Sequence, residues 1–181
     1  MIITISGPPG SGKSTLSKML STQLGMQMIS AGDIFRRMAK QHCMSLEEFG
    51  LLAKCDQNID RKIDKMQKKI AQQRNNIILE GRVSGFLVDA DLKIWLKAPL
   101  EIRAQRIAKR EGKSIYSAIK ETLERERCER ERYIKYYNID INNLSIYDLV
   151  IDSSKWKPEE IYEIVAKAVH YLLRRQCSET N

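Results

Sequence analysis

Five short apolar stretches, separated by segments of helical periodicity, set the architecture of this chain. Met1–Ser6 is an unbroken run rich in β-branched residues, Met26–Ser30 is a shorter one, and Asn76–Glu80, Asp91–Leu96 and Tyr147–Asp152 repeat the pattern. Runs of this length read as strands covered on both faces. Leu16, Met19, Leu20 and Leu24 share one face of a helix from Ser14 to Leu24 that Gly25 ends. Ser30–Asp33 turns into a helix from Ile34 to about Gln41, and Ser45 opens another with Glu47 and Glu48 in its first turn. Gln57 to Gln73 follows, with Ile59, Ile63, Met66 and Ile70 as its apolar stripe. Pro99 starts a helix reaching about Arg110. Gly112 breaks it, and Ser114 caps a long charged helix to about Tyr136. The last helix opens at Pro158-Glu159-Glu160 and runs to about Arg175, burying Ile161, Ile164, Val165, Ala168, Val169 and Leu172.

Strands alternating with helices predict an α/β fold with a five-stranded parallel sheet and helices on both faces. Ligands of such sheets gather at the carboxyl ends of the strands. That rule selects the loop after the first strand, Ser30–Asp33, Glu80–Arg82 and Asp152–Lys157.

The first of these loops carries chemistry. Gly7-Pro8-Pro9-Gly10-Ser11-Gly12-Lys13-Ser14, followed by Thr15, fits G-x-x-x-x-G-K-[ST] and lies between a strand and a helix, as a phosphate-binding loop requires. Its glycines let backbone N–H groups turn toward phosphate oxygens, and the helix N-terminus adds partial positive charge. Lys13 is placed to reach the β- and γ-phosphates and Ser14 to ligate Mg²⁺. The motif predicts a P-loop NTPase fold that binds a nucleoside triphosphate.

Composition narrows the setting. A chain of 181 residues fits one domain with a full core and room for small inserted subdomains. No apolar run approaches the ~20 residues needed to cross a bilayer. Met1 leads straight into the first strand, so no cleavable leader is expected. Cys43, Cys55, Cys128 and Cys177 lack disulfide or zinc spacing and are expected to be free thiols in a reducing cytoplasm. His42 and His170 are isolated, and neither is given a role. The net charge of +8 fits either polyanionic small substrates or a nucleic-acid partner. Its distribution favours the former: from Arg103 to Arg132 arginines alternate with glutamates, unlike a nucleic-acid arm of uninterrupted Lys and Arg.

Gly7–Ser14, Ser30-Ala31-Gly32-Asp33-Ile34-Phe35-Arg36, Glu80-Gly81-Arg82 and Arg106-Ile107-Ala108-Lys109-Arg110 resemble the ordered motifs of nucleoside monophosphate kinases. With the arginines from Arg125 to Arg132 and the closing Leu144–Ile151 stretch, the chain is most similar to the compact archaeal type of cytidylate kinase. The resemblance covers nearly the whole chain. It implies a core, a helical monophosphate-binding insert at about 34–75, and a lid at about 112–138 that closes over the donor. It also implies transfer of the ATP γ-phosphoryl group to CMP or dCMP with Mg²⁺, in a monomer without nucleic-acid or membrane partners. On this resemblance Gly7–Thr15 and Arg106 hold ATP, and Ser30, Gly32, Asp33, Arg36 and Arg82 lie on the acceptor side. Arg110, Arg125 and Arg132 join Lys13 around the transferring group, and Glu80 joins Ser14 at the metal.

Simpler readings stand beside these. Arg36 also fits a surface arginine, Arg82 a salt bridge at the strand end, and Arg125–Arg132 a solvated helix face. Arg127 and Arg130 fall on other faces and pair with Glu124, Glu131 or Glu126 on this reading. Cytosine offers an amine donor at N4 and an acceptor at N3, so a carboxylate with an arginine suits it. Asp60, Arg61 and Asp64 are the candidates, with Arg61 and Asp64 three apart; ordinary surface charges are the alternative. Lys155 and the backbone of Ser153–Lys157 border the expected adenine position. Two other functions stay open: a kinase for AMP or UMP, and an RNA- or ribosome-associated P-loop NTPase.

Overall fold

A computed structural model describes residues 1–73 and 76–178, with side chains described through residue 175. Five strands, β1 (Ile2–Ser6), β2 (Gln27–Ser30), β3 (Ile77–Glu80), β4 (Leu92–Lys97) and β5 (Leu149–Asp152), form one sheet in the order β2-β3-β1-β4-β5. Every adjacent pair is parallel. The chain leaves β1 toward β2 and β3, then returns to place β4 on the other side. The end of β1 is therefore the topological switch point, where parallel sheets open a crevice. Register brings Ile5 beside Glu80, Glu80 beside Ser30 and Ser6 beside Trp95, so the selected loops share one edge.

The strands lie inside because both faces are covered. Ile3, Ile5, Ile78, Ile94 and Leu96 pack against α1 (Lys13–Leu24) and α8 (Pro158–Ser178) through Leu16, Leu20, Ile161, Val165 and Val169. On the other face Ile77, Leu79 and Val88 meet Ile70 and Leu87. Three helices stand between β2 and β3: α2 (Ala31–Gln41), α3 (Leu46–Cys55) and α4 (Gln57–Gln73). They keep a small core of Ala39, Phe49, Ala53 and Ile59, with Phe35 edge-on to Phe49 at 4.9 Å. Ser45 and Glu48 form a reciprocal capping box on α3. The expected end of this segment, near residue 75, lies outside the described residues. α6 (Leu100–Glu111) and α7 (Ile115–Tyr137), between β4 and β5 in the chain, pack on each other as a hairpin, with α7 also against α3 and with Gly112 and Asn138 in left-handed conformations at their ends.

Several boundaries differ from the sequence expectation for local reasons. α2 starts at Ala31 rather than Ile34, because the Ser30 side chain accepts from the Asp33 N–H and caps the helix directly. A short helix absent from the sequence reading, α5 (Ser84–Leu87), follows β3. β5 begins at Leu149 rather than Tyr147. The Tyr147 ring turns inward onto Trp95, at 5.1 Å, and covers Gly85, where an added Cβ would sit 2.6 Å from the ring. Cys43 and Cys55 are exposed thiols and Cys128 a buried one; the Cys177 side chain lies outside those described. No described helix is long and apolar enough to cross a membrane.

One glycine ties the phosphate loop to the sheet. Gly7 has φ +148°, and a Cβ there would lie 2.2 Å from the Leu96 carbonyl oxygen at the end of β4. We expect G7A to lower the unfolding free energy by about 3 kcal/mol or more, since neither the strand nor the loop can retreat. Urea denaturation checks this; a loss below about 1 kcal/mol would show that the loop relaxes freely.

Candidate active site

The phosphate loop folds as a cradle because three of its residues occupy conformations that suit glycine. Gly10 (φ +77°) has the Arg103 carbonyl 2.6 Å from its Cβ position, and Gly12 (φ +94°) forms the N-cap of α1. Above the loop a cleft of about 410 Å³ opens. Pro9, Gly10, Gly12, Lys13, Ser14 and Thr15 line it. Gly7, Pro8 and Ser11 stand behind it: Ser11 is wholly buried, and the Pro8 carbonyl accepts from Lys13 Nζ at 2.9 Å. Burial lowers the Lys13 ammonium pKa to about 8; Glu80 opposes the shift, and Arg82 and Arg125 add to it.

Ser14 Oγ donates to both carboxylate oxygens of Glu80, at 3.1 and 3.2 Å. A hydroxyl and a carboxylate beside a phosphate loop suit Mg²⁺, which keeps waters and takes phosphate oxygens as its remaining ligands. No cluster of three or more His, Cys, Asp or Glu capable of holding a metal occurs among the described residues.

Arginines reach the cleft from four elements. Arg106 on α6 donates to the Gly10 carbonyl and to Oγ and the carbonyl of Ser153, which fixes the loop after β5 beside the phosphate loop. Trp156, Pro158 and Ile161 complete that end of the cleft. Arg110 also lines it, and its guanidinium pairs with Glu111 at the surface. Arg82, after β3, donates through Nε to Glu129 at 2.6 Å, rather than pairing with Glu80. Arg125 donates to the other Glu129 oxygen at 2.8 Å. Arg132 is 3% exposed, donating to Asp60 at 2.8 Å and to the Gly50 carbonyl at 3.2 Å, with Phe35 and Tyr133 beside its guanidinium. Arg127 pairs with Glu124 and Glu131 on the outer face.

At the far end Gly32, Arg36, Asp60, Ile63, Asp64 and Gln67 line the cleft. Arg36 is paired with Asp33, which is exposed and outside the lining; Ser30 is buried as the cap of α2. Arg61 does not join them. It lies on the exposed face of α4, while Asp60, Ile63, Asp64 and Gln67 occupy the buried face. The helical period puts positions 60, 63, 64 and 67 together and turns 61 away, so the expected Arg61–Asp64 pair is corrected. Asp64 is 8% exposed, and its Oδ2 has no hydrogen-bond partner. Burial raises its carboxyl pKa to about 6, against the lowering effect of the neighbouring Tyr137 hydroxyl.

Three residues escaped the sequence reading. Arg103 is buried under the loop, donating to the Pro9 and Ala98 carbonyls and to Glu126. Its signal was its spacing from Arg106 and Arg110 on one helix. Gln67 donates to the Glu80 carbonyl and accepts from Ser84, bracing the metal-side strand end. Trp156 lies in the loop after β5 that the strand-end rule selects, but only the backbone of that loop was expected at the adenine, and its side chain lines the cleft.

A family model described as the cytidylate kinase-like family matches residues 2–155. The chain belongs to that family. A cytidylate kinase of Methanocella arvoryzae is 50% identical over 95% of this chain and 98% of its own length. A cytidylate kinase of Pyrococcus horikoshii is 49% identical over 95% and 90%. Among solved structures, the fold is similar to a shikimate kinase from Bacteroides thetaiotaomicron, with TM-score 0.60 and 13% identity over 94% of this chain and 98% of that one. The chain is therefore a P-loop kinase in fold and a member of a nucleoside monophosphate kinase family by sequence.

Lys13→Ala is expected to lower kcat by about 10²–10³-fold, the usual cost of one preorganised charge donor. Thermal stability at pH 7 should not fall, because a buried ammonium with a depressed pKa is itself destabilising below its titration. Initial rates and a melting curve on the same preparation check both; near-normal turnover would remove Lys13 from the reaction.

Proposed function

We propose that this protein is an ATP:CMP phosphotransferase, also accepting dCMP, that forms CDP or dCDP and ADP as a cytoplasmic monomer. The observation that carries this reading is one cleft of about 410 Å³ that the phosphate loop shares with the buried face of α4 and the loop after β5. Arg106, Ser153 and Trp156 stand at one end and the buried face of α4 at the other, with cations from α1, the β3 end and α7 between them. Such a cleft suits two nucleotides held phosphate to phosphate.

Transfer between phosphates needs in-line positioning and charge compensation rather than a protein nucleophile. On this reading the phosphate loop and Lys13 hold the donor, and Arg36 and Arg82 hold the acceptor phosphate. Arg110, Arg125 and Arg132 face the moving group. Ser14 and Glu80 hold Mg²⁺, which neutralises charge on the donor phosphates. The Arg36–Asp33 and Arg110–Glu111 pairs are exposed, and such pairs contribute only about 0–1 kcal/mol, so phosphate can recruit both arginines at small cost. With α2–α4 acting as insert and α7 as lid, closure excludes water and suppresses hydrolysis of ATP.

Asp64 supports cytosine as the acceptor base. Its buried carboxylate lines the cleft beside the Tyr137 hydroxyl and can accept a further donor, and the N4 amine of cytosine is one that uracil lacks. A panel of CMP, dCMP, UMP and AMP in a coupled ADP-release assay tests the proposal. CMP and dCMP should lead; preference for AMP, or activity with no monophosphate, would overturn it.

Asp64→Asn should lower the CMP:UMP ratio of kcat/KM by about tenfold or more, since an amide can donate to uracil O4. An unchanged ratio would release Asp64 from base reading. The pH dependence has a definite sign. Asp64 gains a proton as pH falls through about 6, so the wild-type KM for CMP should rise below pH 6 and that of D64N should not. Because the folded-state pKa lies above the ordinary value of 3.8, the charged carboxylate costs stability at neutral pH. D64N should accordingly melt higher than wild type at pH 8, with the difference disappearing near pH 4.

A further inference from the structure

A carboxylate lies on the floor of this cleft where polyanions are expected to bind. Glu129, near the middle of α7, is 5% exposed and lines the cleft. Both of its oxygens are occupied: Oε2 accepts from Nε of Arg82 at 2.6 Å and Oε1 from Nε of Arg125 at 2.8 Å. Burying an ion is costly, and a negative charge here repels phosphate oxygens. Neither substrate affinity nor packing accounts for an acid at this position.

Its geometry does. Arg82 comes from the loop after β3 and Arg125 from α7, and two guanidinium groups side by side repel each other. Glu129 joins them through one Nε each. Among the described residues the terminal nitrogens of Arg125 make no hydrogen bond, and Arg82 Nη2 stands 3.6 Å from a Glu126 carboxylate oxygen, beyond hydrogen-bond reach. Each fork is held from the side and keeps its outer nitrogens for another anion. Burial opposes ionisation of Glu129, but Arg125 and Arg82 overcome it and hold the carboxyl at about 2, so the brace is charged at any working pH.

We propose that Glu129 is a positioning residue for phosphoryl transfer: its carboxylate assembles Arg82 and Arg125 into one cationic cup before the phosphates arrive. The inference builds on the cytidylate kinase reading above. Preorganised charge is worth most when no rearrangement accompanies the reaction, and Glu129 removes the need for one.

The test separates positioning from folding and from binding. Glu129→Gln keeps the volume but loses the charge and one acceptor. We expect kcat to fall about tenfold or more, the scale set by small misplacements of catalytic groups. The dissociation constant for inorganic triphosphate should stay within about threefold or tighten, because a repelling charge has gone. The KM values for CMP and ATP should stay within about threefold, so the loss falls on kcat rather than on ground-state binding. Glu129→Asp, with the charge but a shorter reach, should recover part of the kcat that E129Q loses. Glu131→Gln, on the outer face of the same helix, supplies the control and should keep wild-type kcat. A folded E129Q with kcat within about threefold of wild type would overturn the proposal. So would parallel losses of kcat and triphosphate affinity in both E129Q and E129D, which would mark a purely structural acid. If E129Q does not fold, E129D decides alone, and unchanged kcat there overturns the proposal. Wild-type protein inactive on every monophosphate would instead overturn the function proposed above.

Discussion

Mutual repulsion among cations gathered around one loop is the constraint that the other features of this cleft answer. Lys13, Arg82, Arg125 and Arg132 all line the same cleft, and Arg103 lies directly beneath the loop. Without phosphate such a group tends to spread apart, and its repulsion adds to the burial that lowers the Lys13 pKa to about 8. The chain answers with acids assigned by depth. Glu129 holds Arg82 and Arg125, Asp60 holds Arg132, and Glu126 holds Arg103, all at buried or half-buried positions. At the rim the partners are Asp33 for Arg36 and Glu111 for Arg110, both solvated. Buried pairs keep geometry because separating them strands a charge; rim pairs give way because water replaces either partner.

This arrangement also joins parts of the chain that are distant in sequence. Arg132 reaches Asp60 and the Gly50 carbonyl, Tyr136 donates to the Lys54 carbonyl, and Lys54 pairs with Glu131. The long helix α7 is thereby seated on α3 and α4. The same α7 touches the phosphate loop indirectly, since Glu126 holds the Arg103 that donates to the Pro9 carbonyl. A single helix thus carries charge contacts to the donor loop, to the end of β3 and to the far end of the cleft.

These connections explain what the sequence could and could not convey. Strands were legible because a sheet covered on both faces leaves continuous apolar runs, as at Ile77-Ile78-Leu79. The phosphate loop was legible because its chemistry is local, and Glu80 because register places the β3 end beside it. Arg61 was misplaced because spacing along α4 says which residues share a face but not which face is buried; Phe35 and Arg132, from other elements, decide that. Glu126 looked like a partner for Arg127 or Arg130, neighbours on its own helix. Its actual partner, Arg103, stands on α6, and no pattern within α7 records that pairing. Tyr147 read as a strand residue because its aromatic ring favours strands, until Gly85 offered it a place under the sheet edge.

The division between donor and acceptor halves follows the same physics. A fold shared with a shikimate kinase at 13% identity fixes the sheet and its switch point and leaves the acceptor unchosen. The choice must come from side chains outside that common frame. In this chain they lie on α4, where Gln67 is spent bracing Glu80 and Ser84, and Asp60 is spent on Arg132. Asp64 lines the cleft on that buried face and keeps its Oδ2 short of a partner. A buried carboxylate oxygen short of a partner costs stability in the empty cleft, and a ligand donor placed against it would recover that cost.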